Sequence, residues 1–190
     1  TVGARQVAHA MGLDELGRQP KFTFFDLGSG VGKLVVQAIL EWPAVRRAVG
    51  IELSRERWSK AMQAWQDCST SGLMEEVRRH AQQLRYLHGA VNKHSAGEFQ
   101  QPEFRQMDLF ETDLSEATHI YIASLCFSEG MLARIAAKLA REARQLIAVA
   151  TLLKFPGGLD GFEQSATVHA QMTWSVASGT PTYVYTRERR

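Results

Sequence analysis

Two kinds of apolar pattern alternate along the chain. Apolar residues that recur every three or four positions predict amphipathic helices over residues 2–16, 32–42, 55–66, 73–91 and 128–141. Short apolar runs rich in β-favouring residues predict strands over residues 21–27, 48–53, 103–107, 118–123 and 145–151. Strands that alternate with helices in this way form a mostly parallel sheet covered by helices on both faces.

The carboxyl-terminal segment changes character after a loop rich in proline and glycine at residues 154–162. Residues 166–174 and 181–187 alternate between polar and apolar side chains, and a turn at Ser178-Gly179 lies between them. This alternation predicts two antiparallel strands without a helix between them. Together the segments predict an α/β, Rossmann-like fold with a mostly parallel seven-stranded sheet that ends in an antiparallel pair.

Length and composition narrow the class of protein. The chain has 190 residues, of which 45% are hydrophobic and 22% charged, so we expect a single domain over residues 1–190. No apolar run approaches the roughly 20 residues that span a bilayer, and a membrane location is not expected. A net charge of +2 does not point to nucleic acid as the partner, although it does not exclude it. Cys68 and Cys126 fit neither a disulfide framework nor a metal site, which indicates an intracellular location, nuclear or cytoplasmic, and no metal.

A glycine-rich turn follows the first predicted strand. Gly28, Gly30 and Gly32 alternate with Ser29 and Val31, and glycines at such a turn let the backbone bend tightly and approach a ligand. The G-x-G-x-G spacing is one residue shorter than the dinucleotide-binding motif, and the segment lacks the first glycine and the Ser/Thr of a phosphate-binding P-loop. The turn therefore predicts a cofactor site that is poorly suited to phosphate.

Carboxylates at three predicted strand ends indicate which cofactor the turn binds. Asp26 precedes the turn, where it repels phosphate but suits a cation such as the α-amino group of S-adenosylmethionine. Glu52 ends the second strand, where it can accept both ribose hydroxyls of an adenosine. Asp108 ends the third strand, where it can accept the adenine amino group while Leu109 or Phe110 covers the ring. The predicted cofactor is S-adenosylmethionine, and the predicted binding residues are Asp26, Gly28, Ser29, Gly30, Gly32, Glu52, Asp108 and Leu109.

These segments together resemble one methyltransferase family. The segment Phe25-Asp26-Leu27-Gly28-Ser29-Gly30-Val31-Gly32, with Val35-Val36-Gln37 and Gly50-Ile51-Glu52 after it, is similar to the non-SET histone-lysine methyltransferases of the disruptor-of-telomeric-silencing family. The resemblance covers residues 22 to 140. It implies a Rossmann-like class I methyltransferase fold, S-adenosylmethionine as cofactor with S-adenosylhomocysteine as product, and a lysine of a protein, histone included, as acceptor. It also implies a Tyr-Gly-Glu-Thr-like lid over the cofactor, which we expect to be missing or truncated because it would lie at or before Thr1.

The end of the fourth predicted strand faces the transferred methyl group in the family that the chain resembles. The family has an Asn-Asn-Phe-like motif there, whereas this chain has Ile122-Ala123-Ser124-Leu125-Cys126-Phe127, so Ser124 replaces the amide that positions the target amine. Phe127, Phe155 and Trp174 can line an apolar channel that disfavours a charged lysine. Ser124, Phe127 and Trp174 are therefore the candidate catalytic residues.

Two other functions are compatible with the sequence. A methyltransferase that acts on RNA or on a small molecule shares the same cofactor half, although residues 124–127 lack the N-P-P-Y-type motif typical of base or glutamine-amide methylation. A non-catalytic module that binds cofactor or partner proteins is favoured by Ser124 and by the expected loss of the lid. Protein-lysine methylation is the leading hypothesis.

Overall fold

The computed structural model describes residues 1–14, 22–42, 44–72, 76, 101–172 and 177–188. Its helices are α1 (Val2–Ala10), α2 (Lys33–Glu41), α3 (Arg55–Thr70) and α4 (Glu129–Glu142), and a short 3₁₀ turn spans Ser124–Cys126. Its strands are β1 (Phe22–Leu27), β2 (Val45–Glu52), β3 (Glu103–Gln106), β4 (His119–Ile122), β5 (Ala148–Thr151), β6 (Phe162–Ala170) and β7 (Thr180–Arg187). The helix predicted over residues 73–91 lies outside the described residues, apart from position 76.

The strands form one seven-stranded sheet in the order β3-β2-β1-β4-β5-β7-β6. The pairs from β3/β2 to β4/β5 are parallel, and β7 pairs antiparallel with β5 and with β6. The predicted Rossmann-like sheet with its antiparallel carboxyl-terminal pair is therefore confirmed. The strand order reverses between β1 and β4, and ligands of open α/β sheets bind at the carboxyl ends of the strands beside such a reversal.

Hydrophobic clusters cover both faces of this sheet. Strand β1 is buried along its whole length, with Phe24 in the cluster that includes α1 and α2 and Phe25 in the cluster that includes α4. Trp42 packs edge-on against Phe24, with 5.1 Å between the ring centroids. Successive side chains of a strand point to opposite faces, so the continuous apolar run of β1 fits a strand that is buried on both sides. The glycine turn after Leu27 therefore extends from a strand that both clusters hold in place.

Helix α1 ends earlier than its apolar pattern predicts, at Ala10 rather than at residue 16. Gly12 has a φ of 72°, and the amides of Gly12 and Leu13 donate to the carbonyls of His9 and Ala8 at 3.0 and 2.9 Å. A glycine in this left-handed conformation closes a helix by satisfying its last carbonyls. The apolar spacing continues beyond Gly12, which explains why the pattern alone extended the helix.

Arg187, the last residue of β7, attaches that strand to the end of α4. Its Nε donates to the Leu146 carbonyl at 2.7 Å and its Nη2 to the Ala143 carbonyl at 3.3 Å. Its guanidinium also lies 4.8 Å from the ring centroid of Phe162 on β6. Carbonyls at the end of a helix lack partners within the helix, so Arg187 stabilises the carboxyl-terminal strands and α4 together. Within the described ranges, none of the helices has the length and apolar character needed to cross a membrane.

Candidate cofactor site at the carboxyl ends of the strands

The glycine turn lies at the carboxyl end of β1 and leads into α2. Gly28, Gly30 and Gly32 have φ angles of 85°, 57° and 75°, a backbone that residues with a Cβ adopt at a cost of about 1–2 kcal/mol each. The amides of Gly28 and Ser29 both donate to the Ile51 carbonyl at 2.9 Å, so the turn stays attached to β2. The conformation of the backbone explains why glycine occupies these alternate positions.

The three glycines differ in what surrounds them. A Cβ on Gly32 would lie 2.4 Å from Cε1 of Phe104, so this glycine lets the turn pack closely against β3. A Cβ on Gly28 would lie 3.9 Å from Cζ of Phe127. A Cβ on Gly30 would meet no described atom within 4 Å. Gly30 is therefore the position in the turn where a ligand can approach the backbone.

Ser29 packs against β2 at Gly50. A Cβ on Gly50 would lie 2.7 Å from Oγ of Ser29 and 2.9 Å from Cγ2 of Val35. Glycine at this position leaves room for the turn and for α2 to lie against β2. The two sequence segments that carry the family resemblance, the turn and the end of β2, meet at this contact.

Glu52 ends β2 with its carboxylate directed at the turn. The side chain is 5% exposed, and the carboxylate accepts the Gly30 amide at 2.9 Å through Oε2 and the Ser54 amide at 2.8 Å through Oε1. Arg57, in the first turn of α3, donates to Oε1 from Nε at 3.2 Å, and its Nη2 lies 3.0 Å from the same oxygen in an ion pair. Charge-assisted bonds of this kind fix a carboxylate in orientation. Glu52 is therefore a well-defined acceptor beside the glycine that faces open space.

Asp26 is a buried carboxyl next to the turn, and its Oδ1 has no hydrogen-bond partner in the described part of the chain. Burial and, secondarily, the negative charge of Glu52 raise the pKa of Asp26 from 3.8 to about 7. Asp26 is level with Tyr121 in the register of β1 and β4, and the buried Tyr121 hydroxyl also lacks a partner among the described residues. Unpaired buried oxygens are costly. A cationic donor that reached Asp26 would remove this cost and would favour the ionised carboxylate.

The segment after β3 lies beside Glu52, because the Met107 amide donates to the Glu52 carbonyl at 3.1 Å. Asp108 Oδ1 accepts the Phe110 amide at 2.9 Å, as in the turns that Asp side chains stabilise. Leu109 is buried in the cluster on the α4 face of the sheet. The structure therefore brings Asp108 and Leu109 close to Glu52, and their contacts with adenine stay a prediction.

Ser124 follows β4, and its hydroxyl bonds within the protein. The Thr151 hydroxyl donates to the Leu153 carbonyl at 3.1 Å, which uses its one hydrogen. Ser124 Oγ therefore donates to Thr151 Oγ1 at 2.8 Å, and it accepts the Leu153 amide at 2.9 Å. Ser124 is fully buried. These bonds hold the ends of β4 and β5 together, and the predicted contact of Ser124 with a target amine stays a prediction.

Two of the three aromatic residues predicted to line an acceptor channel lie in the described part of the chain, and both belong to or pack against the hydrophobic cluster on the α4 face of the sheet. Phe127 is half-buried beside Gly28, whereas Phe155 lies in the core, 5.3 Å from the ring centroid of Tyr185. Trp174 lies outside the described residues. Phe155 therefore contributes to core packing, and Phe127 is the described aromatic that remains a candidate for the acceptor side.

Two residues of this site were not selected from the sequence. Tyr121 lies in a strand that the sequence predicts as buried, and its position opposite Asp26 follows from the parallel register of β1 and β4. Arg57 has the sequence context of an ordinary exposed helix residue. The signal that could have found it is its place five positions after Glu52, in the first turn of a helix that Ser54 caps. Across the described ranges no group of His, Cys, Asp and Glu side chains is placed to hold a metal ion.

Known proteins are similar to this chain in sequence or in fold. The family profile described as "Histone methylation protein DOT1" matches residues 6–155. A Caenorhabditis elegans protein described as "Histone-lysine N-methyltransferase, H3 lysine-79 specific" is 30% identical over 130 residues, which cover 68% of this chain and 12% of that protein. An RNA methyltransferase from Salinibacter ruber, solved in complex with S-adenosyl-L-homocysteine, superposes with a TM-score of 0.59 at 22% identity, covering 98% of this chain and 91% of that one. The mitomycin 7-O-methyltransferase MmcR superposes with a TM-score of 0.56 at 14% identity, covering 98% and 54%.

The sheet, the glycine turn and these likenesses define the class of fold: the chain has the Rossmann-like fold of the methyltransferases on which it superposes. Because the family profile covers residues 6–155, the chain belongs to the DOT1 histone methylation family. The family resemblance and the fold predicted from the sequence are thus confirmed. The chain spans 12% of the length of the curated relative that it matches.

Proposed function

We propose that this chain transfers a methyl group from S-adenosylmethionine to a lysine side chain of a protein, with histones as the first substrates to test. Family membership supports a protein substrate, and the description of the Caenorhabditis elegans relative supports lysine as the acceptor. The structural observation that carries the proposal is the arrangement of Asp26, Gly30 and Glu52 around one open turn. An intracellular location, nuclear or cytoplasmic, is part of the same proposal.

The described residues fit this cofactor by charge and by shape. Asp26 would bind the α-amino group through its unpartnered Oδ1, and Glu52 would accept the ribose hydroxyls beside Gly30. Asp108 would accept the adenine amino group, with Leu109 against the ring. Gly28, Ser29 and Gly32 would hold the turn in the shape that admits the ligand. When bound, the cofactor supplies an electrophilic methyl group on a positively charged sulfur.

The chain has to align a neutral amine with that methyl group and keep water away from it. A lysine has a reference pKa of about 10.4, and an apolar environment lowers the pKa of an amine, so the side chain can release its proton to solvent before it reacts. Phe127, beside Gly28, would supply apolar surface on this side of the turn. In this scheme Ser124 and Trp174 are the further candidates for contact with the amine.

The proposal is tested in three parallel reactions, each with the purified chain and methyl-labelled S-adenosylmethionine. The acceptor is core histones in the first reaction, nucleosomes in the second and total RNA in the third. We expect label in a protein band, and methyl-lysine after complete hydrolysis of that band. Glu52→Gln is the matched control, because it keeps the size of the side chain but removes the charged acceptor. Label incorporation that is unchanged in Glu52→Gln would contradict the assigned cofactor site.

The alternatives predict other outcomes of the same experiment. Label in RNA and none in protein would favour an RNA methyltransferase and overturn the lysine assignment. Binding of the cofactor by calorimetry without transfer to any acceptor would favour a non-catalytic module, which the internal bonding of Ser124 makes a reasonable second candidate. Absence of cofactor binding would overturn both the enzyme and the module.

A further inference from the structure

Arg57 contacts the same carboxylate that the proposed function assigns to the ribose hydroxyls. It donates to Glu52 Oε1 from Nε at 3.2 Å, and its Nη2 lies 3.0 Å from the same oxygen in an ion pair. The Arg57 side chain is 60% exposed, whereas that of Glu52 is 5% exposed. One partner of this ion pair is therefore free to move into solvent and the other is not.

The two oxygens of the Glu52 carboxylate differ in how many hydrogen bonds they accept. A carboxylate offers about four lone-pair sites, two on each oxygen: Oε1 accepts the Ser54 amide and Arg57 Nε, whereas Oε2 accepts the Gly30 amide and has one site left. The Gly30 amide belongs to the turn, and the Ser54 amide belongs to the connection from β2 to α3, where Ser54 Oγ also accepts the Arg57 amide at 3.4 Å. Both backbone donors are fixed by the fold. Only the Arg57 guanidinium can leave without moving the main chain.

We propose that Arg57 is a positioning residue that occupies Glu52 in the free protein and withdraws when ribose hydroxyls bind. This inference rests on the proposed function, since it takes Glu52 as the ribose acceptor. Without a ligand, Arg57 keeps a buried carboxylate paired, because an unpaired buried charge is strongly unfavourable. With a ligand, one ribose hydroxyl donates to the open site on Oε2, and the other replaces Arg57 at Oε1. Arg57 therefore stabilises the free state and weakens cofactor binding.

The test compares Arg57→Met with Arg55→Met. Methionine keeps an unbranched chain but removes the donors and the charge. Arg55 is exposed in the same helical turn, and no hydrogen bond or ion pair joins it to another described residue. Both changes remove one positive charge near the amino end of α3, so their effects on the helix dipole match. The affinity for S-adenosylhomocysteine is measured by calorimetry, and the melting temperature of the ligand-free chain by circular dichroism.

We expect Arg57→Met to bind S-adenosylhomocysteine roughly tenfold more tightly than the wild type, because the ligand no longer competes with a charge-assisted bond for Glu52. Without ligand, Arg57→Met should melt at a lower temperature than the wild type. Arg55→Met should bind as the wild type does. Equal or weaker binding by Arg57→Met would overturn the inference while leaving the cofactor site intact. If the wild type does not bind, or if Glu52→Gln binds equally well, the proposed function itself fails.

Discussion

Replacing Gly30 by alanine tests whether the open side of the turn is a ligand site. Gly30 has a φ of 57°, so a Cβ costs about 1–2 kcal/mol of strain, and the reduced freedom of the unfolded chain offsets about 0.4–1 kcal/mol of this. Because no described atom lies within 4 Å of that Cβ, the free energy of unfolding should fall by only about 1 kcal/mol. The added methyl group would lie where a ligand approaches the backbone. We therefore expect the dissociation constant for S-adenosylhomocysteine to rise at least tenfold, which corresponds to about 1.4 kcal/mol.

Gly72→Ala is the matched control for this change. Gly72 has a φ of 75°, and no described atom lies within 4 Å of a Cβ placed there, but it follows α3, at the opposite end of that helix from Glu52 and the turn. Thermal unfolding should show similar losses of stability in the two variants, and calorimetric titration should show weaker binding only in Gly30→Ala. If Gly30→Ala binds S-adenosylhomocysteine as tightly as Gly72→Ala does, the turn is not the cofactor site.

Three further predictions concern stability. The pKa of Asp26 is raised from 3.8 to about 7, so the folded state holds an extra proton between these values and loses stability as the pH rises through them. Burial lowers the pKa of His119 from 6.5 to about 4, so this group has the opposite effect, and stability falls as the pH decreases through that window. Urea unfolding at several pH values between 4 and 6.5 tests both groups. As the pH rises over this range, Asp26→Asn should gain stability relative to the wild type and His119→Gln should lose it. If the free energy of unfolding changes with pH equally in all three proteins, neither group titrates as described. Gly32→Ala should lower the free energy of unfolding by about 3 kcal/mol, because the new Cβ would meet Phe104 at 2.4 Å in addition to the backbone strain. A thermal midpoint that is unchanged within error would contradict the close packing. Arg187→Met removes the side-chain donor of the Leu146 carbonyl and should lower the free energy of unfolding in urea by about 1–3 kcal/mol, whereas no loss would mean that water replaces the arginine at no cost.

Much of the fold could be predicted because its strands have simple patterns. β1 is a short apolar run followed by glycine, and the pair β6 and β7 alternates on either side of Ser178-Gly179, so element type and order follow from local sequence. Boundaries depended on features that a pattern does not contain. The left-handed Gly12 ends α1 early, and β6 begins at Phe162 rather than at residue 166 because a register shift between Gln164 and Ala166 lets β7 pair further along the strand.

Part of the candidate site could also be predicted, because the type and order of the strands follow from local sequence. Strand ends that are adjacent in a parallel sheet bring Asp26, the turn and Glu52 together, and the sequence pattern identifies those ends. The hydrogen-bond partners of each side chain could not be predicted, because they depend on rotamers and on contacts between distant segments. Ser124 illustrates the difference: its position after β4 was correct, but its bond to Thr151, on the next strand of the sheet, became visible only in the folded chain.

The bonds of Ser124 also limit how this sequence could acquire the amide that its family has at that position. An asparagine side chain has about two more heavy atoms than a serine side chain, and Ser124 is fully buried, so the substitution would require the neighbouring strand end to shift. The new amide would also have to take over the bonds that Ser124 makes to the Leu153 amide and to the Thr151 hydroxyl. We therefore expect a change from serine to asparagine to lower stability unless the end of β5 adjusts with it.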